Sequence, residues 1–600
     1  MKRIRHLIAV VLLATATTTA PIAASAAITP SIVPSRISGV APLAVFFDAT
    51  GTTAVGATNP FHTLEYSWNF GDMVATWDLT TGASKNLATG PVAAHVFDGA
   101  GTYTVTLSVT NGVETATTTT TITVSDPNVV FSGANTICVS ATALPVKGVG
   151  GCPAGAAVVQ SGNFATIVNT YAQPGKRVLL KRGDIFGGLA KALLNKAGPG
   201  IIAAYGTGAK PVIRITDSTL YSKVFKIGVS DDWRLVDLDI DGQSALNLSL
   251  IEANGIYTLS RLLLLRIDAH DLGGGLVLDK GSTTVPDQIF LVDSTIKRIR
   301  SVTGGGANPE GSYWFGRRIG VLGNVIDDTT GGYQLVRINY ADRAVYSPNL
   351  LQNSFSRVEM FAVRAPDSDP TLARGCTACG TGDAAATKFV VVSRNQIKQN
   401  STFGVKVDTG GTYEVTTGRI RDVLIEANWI TTSGTGPCIR VRAIQVTVRN
   451  NICDLSQTAG SIAMQVDGNS PAPQNALGSS NVWVYNNTVY SGGSQANLIL
   501  TSLQFPPVSN LVLRNNLLYG VKATTSYIVT GAAGSTVIQG TNGTTNPMFA
   551  HLPVTQPGDL ALTSGSYAIG AGAALPVFTN FFGQPRQIGS ALDMGAIIPR

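Results

Sequence analysis

The chain has 600 residues, 44% of them hydrophobic and only 13% charged, where an ordinary globular protein carries about 25% charge. Its 65 glycines and 28 prolines exclude a helical bundle or coiled coil, whose long helices these residues break. An apolar share this large beside a formal net charge of +7 also excludes a disordered chain.

At the N-terminus, Lys2, Arg3 and Arg5 precede the apolar run Leu7 to Ala14, and Ala24-Ser25-Ala26 supplies the small residues of a cleavage site. Residues 1–26 read as a cleavable signal peptide, and the protein as secreted or held at the cell surface. The run is too short to cross a bilayer, and no later stretch reaches the ~18 apolar residues of a span, so no membrane insertion of the mature chain is expected. Charge is unevenly distributed. Residues 28–126 hold two basic and seven acidic residues, a net of −5, whereas residues 127–600 hold 38 against 29, a net of +9. A domain boundary is expected where the sign changes. The six cysteines read as disulfides in an exported chain: Cys138–Cys152 and Cys438–Cys453 by proximity, and Cys376–Cys379 as a loop staple.

From Ile28 to Asp126 short segments alternate as strands do, in Leu43-Ala44-Val45-Phe46-Phe47, Leu64-Glu65-Tyr66-Ser67-Trp68 and Thr102 to Val109. Regular short strands indicate a β-sandwich, and Trp68 reads as one of its core residues. Tyr66-Ser67-Trp68-Asn69-Phe70-Gly71-Asp72, His95-Val96-Phe97 and Gly101 to Asn111 carry a resemblance to the PKD (polycystic kidney disease) domain. That resemblance implies an immunoglobulin-like spacer or carbohydrate-contacting module. Residues 127–160 are expected to form a linker and lead-in.

Residues 161–600 repeat. An apolar-x-Asn-x-apolar unit recurs at Asn324, Asn353, Asn395, Asn428, Asn451, Asn487 and Asn516, with asparagine-free copies at Leu238, Ile267 and Ser294. The intervals run 29, 27, 30, 29, 42, 33, 23, 36 and 29 residues. Such periods with β-branched strands and no helical pattern indicate a parallel β-helix of about ten coils. An asparagine repeated at one position can hydrogen-bond its equivalent on the next coil and tolerates a left-handed turn. With Val178 to Asp184, Ala204 to Ile213 and Asp593-Met594-Gly595-Ala596, this part resembles the right-handed β-helix proteins of the pectate-lyase-like superfamily. The expected fold is therefore all-β: a sandwich followed by a right-handed parallel β-helix. Fold alone does not fix chemistry.

Equivalent outward residues on successive coils lie ~4.8 Å apart, so columns can be read from the repeat. One column runs Asp241, His270, Lys297, Asp327, Ser356, Lys398, Thr431, Asp454, Tyr490, Tyr519, and beside it Asp239 stacks on Asp268. Paired carboxylates at about 5 Å match the acid and nucleophile of a retaining glycosidase, so Asp239, Asp268 and His270 form one candidate site, for a hydrolase. Asp237, Asp239 and Asp241 begin like an EF-hand loop, but its twelfth position is Leu248 and the context is a strand; three carboxylates on one side of a strand still offer a surface Ca²⁺ site. Asp237, Arg266 and Asp293 alternate in sign and read as a neutralising ladder.

A second set of columns aligns Arg337-Ile338-Asn339, Ala362-Val363-Arg364, Lys406-Val407-Asp408, Arg440-Val441-Arg442 and Gln465-Val466-Asp467. It places Arg337, Arg364, Lys406, Asp408, Arg440 and Arg442 outward on neighbouring coils, a basic strip suited to an extended polyanion such as a uronic-acid polysaccharide. Nucleic acid fits less well, because interleaved aromatic residues are missing. β-Helix polysaccharide lyases use Lys or Arg as base, some with Ca²⁺. The resemblance implies Lys406 as base and Arg364 and Arg440 as carboxylate clamps or acid; the outward columns add Arg337, Arg442, Asp408 and Lys297 as candidate substrate contacts. Three readings stand: a secreted lyase of an acidic polysaccharide, a non-catalytic glycan-binding or adhesive surface protein, and a glycoside hydrolase using the paired aspartates. A monomer is expected, with no cofactor required beyond a possible role for calcium.

Overall fold

The computed structural model describes residues 28–599 apart from 74–75, 78, 80–82, 189–191, 217–221, 256–257, 282–283, 301–310, 331–333, 355–358, 366–378, 380–381, 409–419, 469–477, 506 and 588–590. The expected signal peptide, residues 1–26, lies outside the described residues, as does Cys376 of the expected Cys376–Cys379 staple. Among the described residues no helix is long and apolar enough to cross a membrane.

Alternation builds the first domain. Leu43–Asp48 sends Leu43, Val45 and Phe47 into a core with Tyr66, Trp68, Phe97, Val105 and Leu107. Two sheets enclose that core. In the larger one Gly101–Thr110 pairs antiparallel with Thr115–Ser125 and Glu65–Asn69; the smaller comprises Val33–Pro34, Leu43–Asp48 and Val92–Phe97. Trp68 is buried, and its indole N–H donates to the Gly90 carbonyl at 2.8 Å.

The rest is a parallel β-helix. It begins earlier than expected: Thr136–Ser140, inside the segment read as a linker, already pairs in parallel with Arg177–Lys181 and is pinned by the Cys138–Cys152 disulfide. Fourteen strands stack from Thr136–Ser140 to Val537–Gly540 in the first of three sheets, among the described residues. The ten repeats read from the sequence leave out the three leading strands, Thr136–Ser140, Arg177–Lys181 and Ala197–Tyr205, and the last, Val537–Gly540. The helix Phe164–Tyr171, capped by the Asn163 side chain on the Thr166 N–H, plugs the leading end with Phe164, Ile167 and Val168.

Coils turn from the first sheet to the second at a residue in the left-handed region at Asp237, Arg266, Asp293, Gly323, Arg394, Ala427, Asn450, Asn486 and Asn515, whereas Pro348 holds the equivalent place in the coil before Asn349. The ladder residue follows directly. Asn324, Asn349, Asn395, Asn428, Asn451, Asn487 and Asn516 each donate to the next asparagine oxygen at 2.9–3.0 Å, ending on Asn542. Two details differ from the sequence reading. The rung is Asn349, not Asn353, which sits at the following bend with φ 54° and donates to Asp327. The left-handed turn falls on the residue before the ladder, which explains the Asn-Asn pairs: the first turns the chain and the second bonds along the stack.

The sandwich is not a spacer. The outer side of its smaller sheet, Ala44, Phe46, Val92 and Ala94, packs on outward residues of the first solenoid sheet: Leu263, Leu265, Phe290, Val292, Leu322, Val345, Val391 and Leu424. Both sides of the Leu262-Leu263-Leu264-Leu265 run are therefore buried, Leu262 and Leu264 inside the solenoid and the other two beneath the sandwich. The charge asymmetry is used at this seam. Arg36 and Lys85, the only basic residues of the segment 28–126, pair with Asp232 and Asp293 at 2.7 Å each, while Asp48 and Asp98 pair with Arg343 and Arg266. The described C-terminal residues Phe549, Leu560, Leu562, Phe581, Met594 and Ile597 pack over Ala427, Ile452, Tyr490 and Leu517, and the segment abuts the sandwich where the Phe578 N–H donates to Glu65 at 2.7 Å.

Candidate functional site

The third sheet carries an open, charged face. Its strands Glu359–Val363, Phe403–Asp408, Ile439–Arg442 and Ile462–Asp467 are short, apolar inward and parallel. Register puts Arg337, Ala362, Lys406, Arg440 and Gln465 in one column. Arg364, Asp408, Arg442 and Asp467 follow two residues along each strand, on the same side. The expected residues thus share one column, but Arg337, expected to face substrate, is buried and donates to Asn339 at 3.2 Å.

The strip is not a bare row of cations. Lys406 donates to Glu359, and its ammonium lies 3.6 Å from Asp408. Arg364 lies 3.7 Å from the same Glu359 oxygen, and Gln334 donates to the other oxygen at 2.5 Å. Arg440 lies 3.6 Å from Asp408 and donates to Asp467 at 2.7 Å. Arg442, expected to face substrate, is buried between Asp467 at 3.2 Å and Asp408 at 3.7 Å. Burial would push the Glu359 carboxyl up, but Lys406 and Arg364 outweigh it and hold the group below its ordinary value. Among the described residues of this face, five cations stand against three buried carboxylates. The Phe403 ring lies 5.6 Å from the Lys406 ammonium and 5.3 Å from the Arg440 guanidinium, and Tyr313 lies 5.2 Å from Arg337.

Sequence reasoning missed Glu359, Gln334 and Phe403. Glu359 had one signal: a lone acid opening an otherwise apolar strand. Asp408 is a buried counter-ion at 3% exposure, which leaves it little surface for substrate. Lys297 is not on this face; it sits on the second sheet between His270 and Asp327. The Cys438–Cys453 disulfide forms directly behind the Arg440 strand.

The second sheet holds the other cluster. Its column Asp241, His270, Lys297, Asp327 continues through Gln352 to Lys398, Thr431, Asp454, Tyr490 and Tyr519. Gln352 takes the place assigned to Ser356, which lies outside the described residues. Asp239 and Asp268 are register partners. His270 Nε2 is 3.0 Å from Asp239 and Nδ1 is 2.6 Å from Asp271. Lys210 donates to Asp268 at 2.8 Å and Arg214 to Asp241 at 3.0 Å. Burial pushes the Asp239 carboxyl up, with Asp268 adding to the effect, while hydrogen bonds from Arg298 bring Asp271 down to about 2. Asp237 does not join Asp239 and Asp241. It lies at the preceding bend, bonded by Arg266 at 2.9 Å with Arg182 at 3.4 Å, and Lys85 of the sandwich completes that ladder on Asp293. Asp241, His270 and Asp271 are close enough together to ligate one ion, but Arg214 and Arg298 already bond the two carboxylates.

Residues 32–124 match the PKD domain. No curated protein matches the chain. Among solved structures, the GH136 lacto-N-biosidase from Eubacterium ramulus aligns over 68% of each chain at 13% identity, with a TM-score of 0.39. An alginate lyase from a Paenibacillus species aligns over 63% of this chain and 96% of its own, at 13% identity and a TM-score of 0.25. The A-module of a mannuronan C-5 epimerase from Azotobacter vinelandii gives 62%, 90%, 12% and 0.28. Likeness at this level assigns no activity.

Proposed function

We propose that the protein is exported and that its third-sheet face binds a uronic-acid polysaccharide and cleaves it by β-elimination. The observation that carries this is the register of Lys406 and Arg440 on adjacent strands, with Arg364 beside them. Arg364 and Arg440 neutralise the C6 carboxylate, which makes the C5 proton acidic. Lys406 takes that proton, the C4–O bond breaks, a C4=C5 double bond forms, and the leaving oxygen is protonated from Arg440 or water. Glu359 positions the lysine.

One observation favours a second reading. The Asp239 carboxyl, raised by burial, stands one coil from Asp268, which accepts a hydrogen bond from Lys210 at 2.8 Å. A carboxyl raised by burial beside a second carboxylate suits an acid and its partner in glycoside hydrolysis.

The test is to incubate the purified chain with pectate, alginate, glycosaminoglycans and neutral glycans. Ultraviolet absorbance from new unsaturated ends, lost in Lys406→Ala, is the expected result. New reducing ends without that absorbance would transfer the activity to the aspartate pair. Binding without either product would leave a glycan-binding or adhesive surface protein.

A further inference from the structure

Where the sandwich, the solenoid corner and the C-terminal segment meet, Arg394 has no side-chain hydrogen bond or ion pair among the described residues. Along that corner the polar side chains at the equivalent bends are bonded. Arg266 bonds Asp237 and Asp98 at 2.9 Å each, and Asp293 accepts from Lys85 at 2.7 Å. Asn450, Asn486 and Asn515 donate to the carbonyls of Thr579, Asp593 and Ala573. Arg394 breaks the series. Its neighbours in the stack, Pro348 and Ala427, offer no side-chain acceptor. Its Nε is buried without a hydrogen-bond partner among the described residues.

The nearby carboxylates are already engaged. Glu426 accepts from Arg449 at 2.9 Å and Thr89 at 3.0 Å, and Glu65 from the Phe578 N–H and the Thr579 hydroxyl. Burial without a dedicated acid pushes the Arg394 guanidinium below its ordinary value, with Glu426 opposing the shift. Arg394 also lines two adjoining lobes of a crevice, of about 240 Å³ and about 360 Å³. The larger falls in the size range of small-molecule sites, ~300–1,000 Å³. Its walls combine the hydroxyls of Ser67, Thr89 and Thr579 with the apolar surfaces of Leu87, Phe581 and Phe582, and Phe582 is 47% exposed.

We propose that this crevice binds a carboxylate-bearing sugar, with Arg394 pairing to the carboxylate, the wall hydroxyls meeting the sugar hydroxyls and Phe582 packing on a C–H face. A guanidinium fork matches a carboxylate in plane, and an exposed aromatic ring beside hydroxyls suits a pyranose better than a simple acid. The site exists only when sandwich, solenoid and C-terminal segment are assembled, which gives the docked domain a role in ligand capture. It does not depend on the chemistry proposed for the third sheet.

The test is calorimetric titration of the full chain carrying Lys406→Ala and Arg440→Ala, so that the charged face cannot answer for the crevice. Glucuronate, glucose and acetate are the probes. The expected result is saturable glucuronate binding at one site, at least tenfold tighter than glucose or acetate and weakened at least tenfold by Arg394→Gln. Leu87→Trp, which fills the mouth while keeping Arg394, is expected to weaken it as strongly and guards against a folding defect in the first variant. Absence of saturable glucuronate binding, equal binding of glucose or acetate, or binding that survives either variant unchanged would overturn the proposal.

Discussion

Two outward faces of one solenoid, built on the same stacked backbone, meet their surroundings in opposite ways. The first sheet presents Leu263, Phe290, Val345, Val391 and Leu424 and hides them beneath the sandwich. The third presents Arg364, Lys406 and Arg440 and leaves them partly exposed, neutralised in part by Glu359, Asp408 and Asp467. A parallel stack repeats every outward position at ~4.8 Å, so a column of like charges repels itself unless it is interleaved with counter-ions or made apolar and covered. The low charge share of the sequence thus reflects, in part, a second domain lying on an apolar column.

The sharpest way to break this contrast is to place a charge under the sandwich. Leu263→Asp buries a carboxylate in a dry contact and is expected to cost about 3–5 kcal/mol. A lower denaturant midpoint, with new proteolytic cleavage between residues 126 and 136 as the sandwich comes away, is the readout. An unchanged midpoint would mean that the two domains are not docked in solution.

On the charged face, Asp467→Asn removes the carboxylate shared by Arg440 and Arg442. Leaving two partly buried cations without it is expected to cost about 3 kcal/mol in chemical denaturation. A loss near zero would show that the pairs are solvent-screened and the face looser than drawn.

A smaller effect comes from His62, buried in the seam with Nδ1 2.8 Å from Thr447 and Nε2 3.3 Å from Asp422. Burial pushes its pKa below the ordinary 6.5, although Asp422 opposes the shift. Below pH 6.5 the unfolded chain therefore takes up a proton that the folded one refuses, and stability falls as pH drops, by up to ~1.4 kcal/mol per unit. Glu65, whose carboxyl burial raises, acts in the opposite sense, so the comparison with His62→Gln isolates the histidine. That variant is expected to flatten the acid-side slope of unfolding free energy, and an identical slope would remove His62 from the seam.

Much of this was legible in the sequence, because a repeat converts spacing into position. The alternation in residues 43–47 and the Tyr66 to Asp72 motif sufficed for the sandwich, and the asparagine spacing for the solenoid. The strip from Arg337 to Gln465 was in correct register because Val363, Val407, Val441 and Val466 mark the inward side of consecutive coils. What failed was what repeats do not encode. Asn353 replaced Asn349 because both lie near an apolar pair, and only the bond along the stack tells them apart. Docking was missed although Leu262 to Leu265 advertised it, since four consecutive apolar strand residues require cover on both sides. Glu359 escaped because one buried acid has no spacing to betray it.

The central claim is that chemistry resides on the open charged face and not on the aspartate pair four coils away. The most direct measurement is the ultraviolet rate of unsaturated-end formation on a uronic-acid polysaccharide, for Lys406→Ala and Asp239→Asn against the parent chain. The account predicts a fall of at least ~10³-fold for Lys406→Ala, the scale on which losing an essential base acts, and a rate within about twofold for Asp239→Asn. Retained elimination in Lys406→Ala, or its loss in Asp239→Asn, would contradict it.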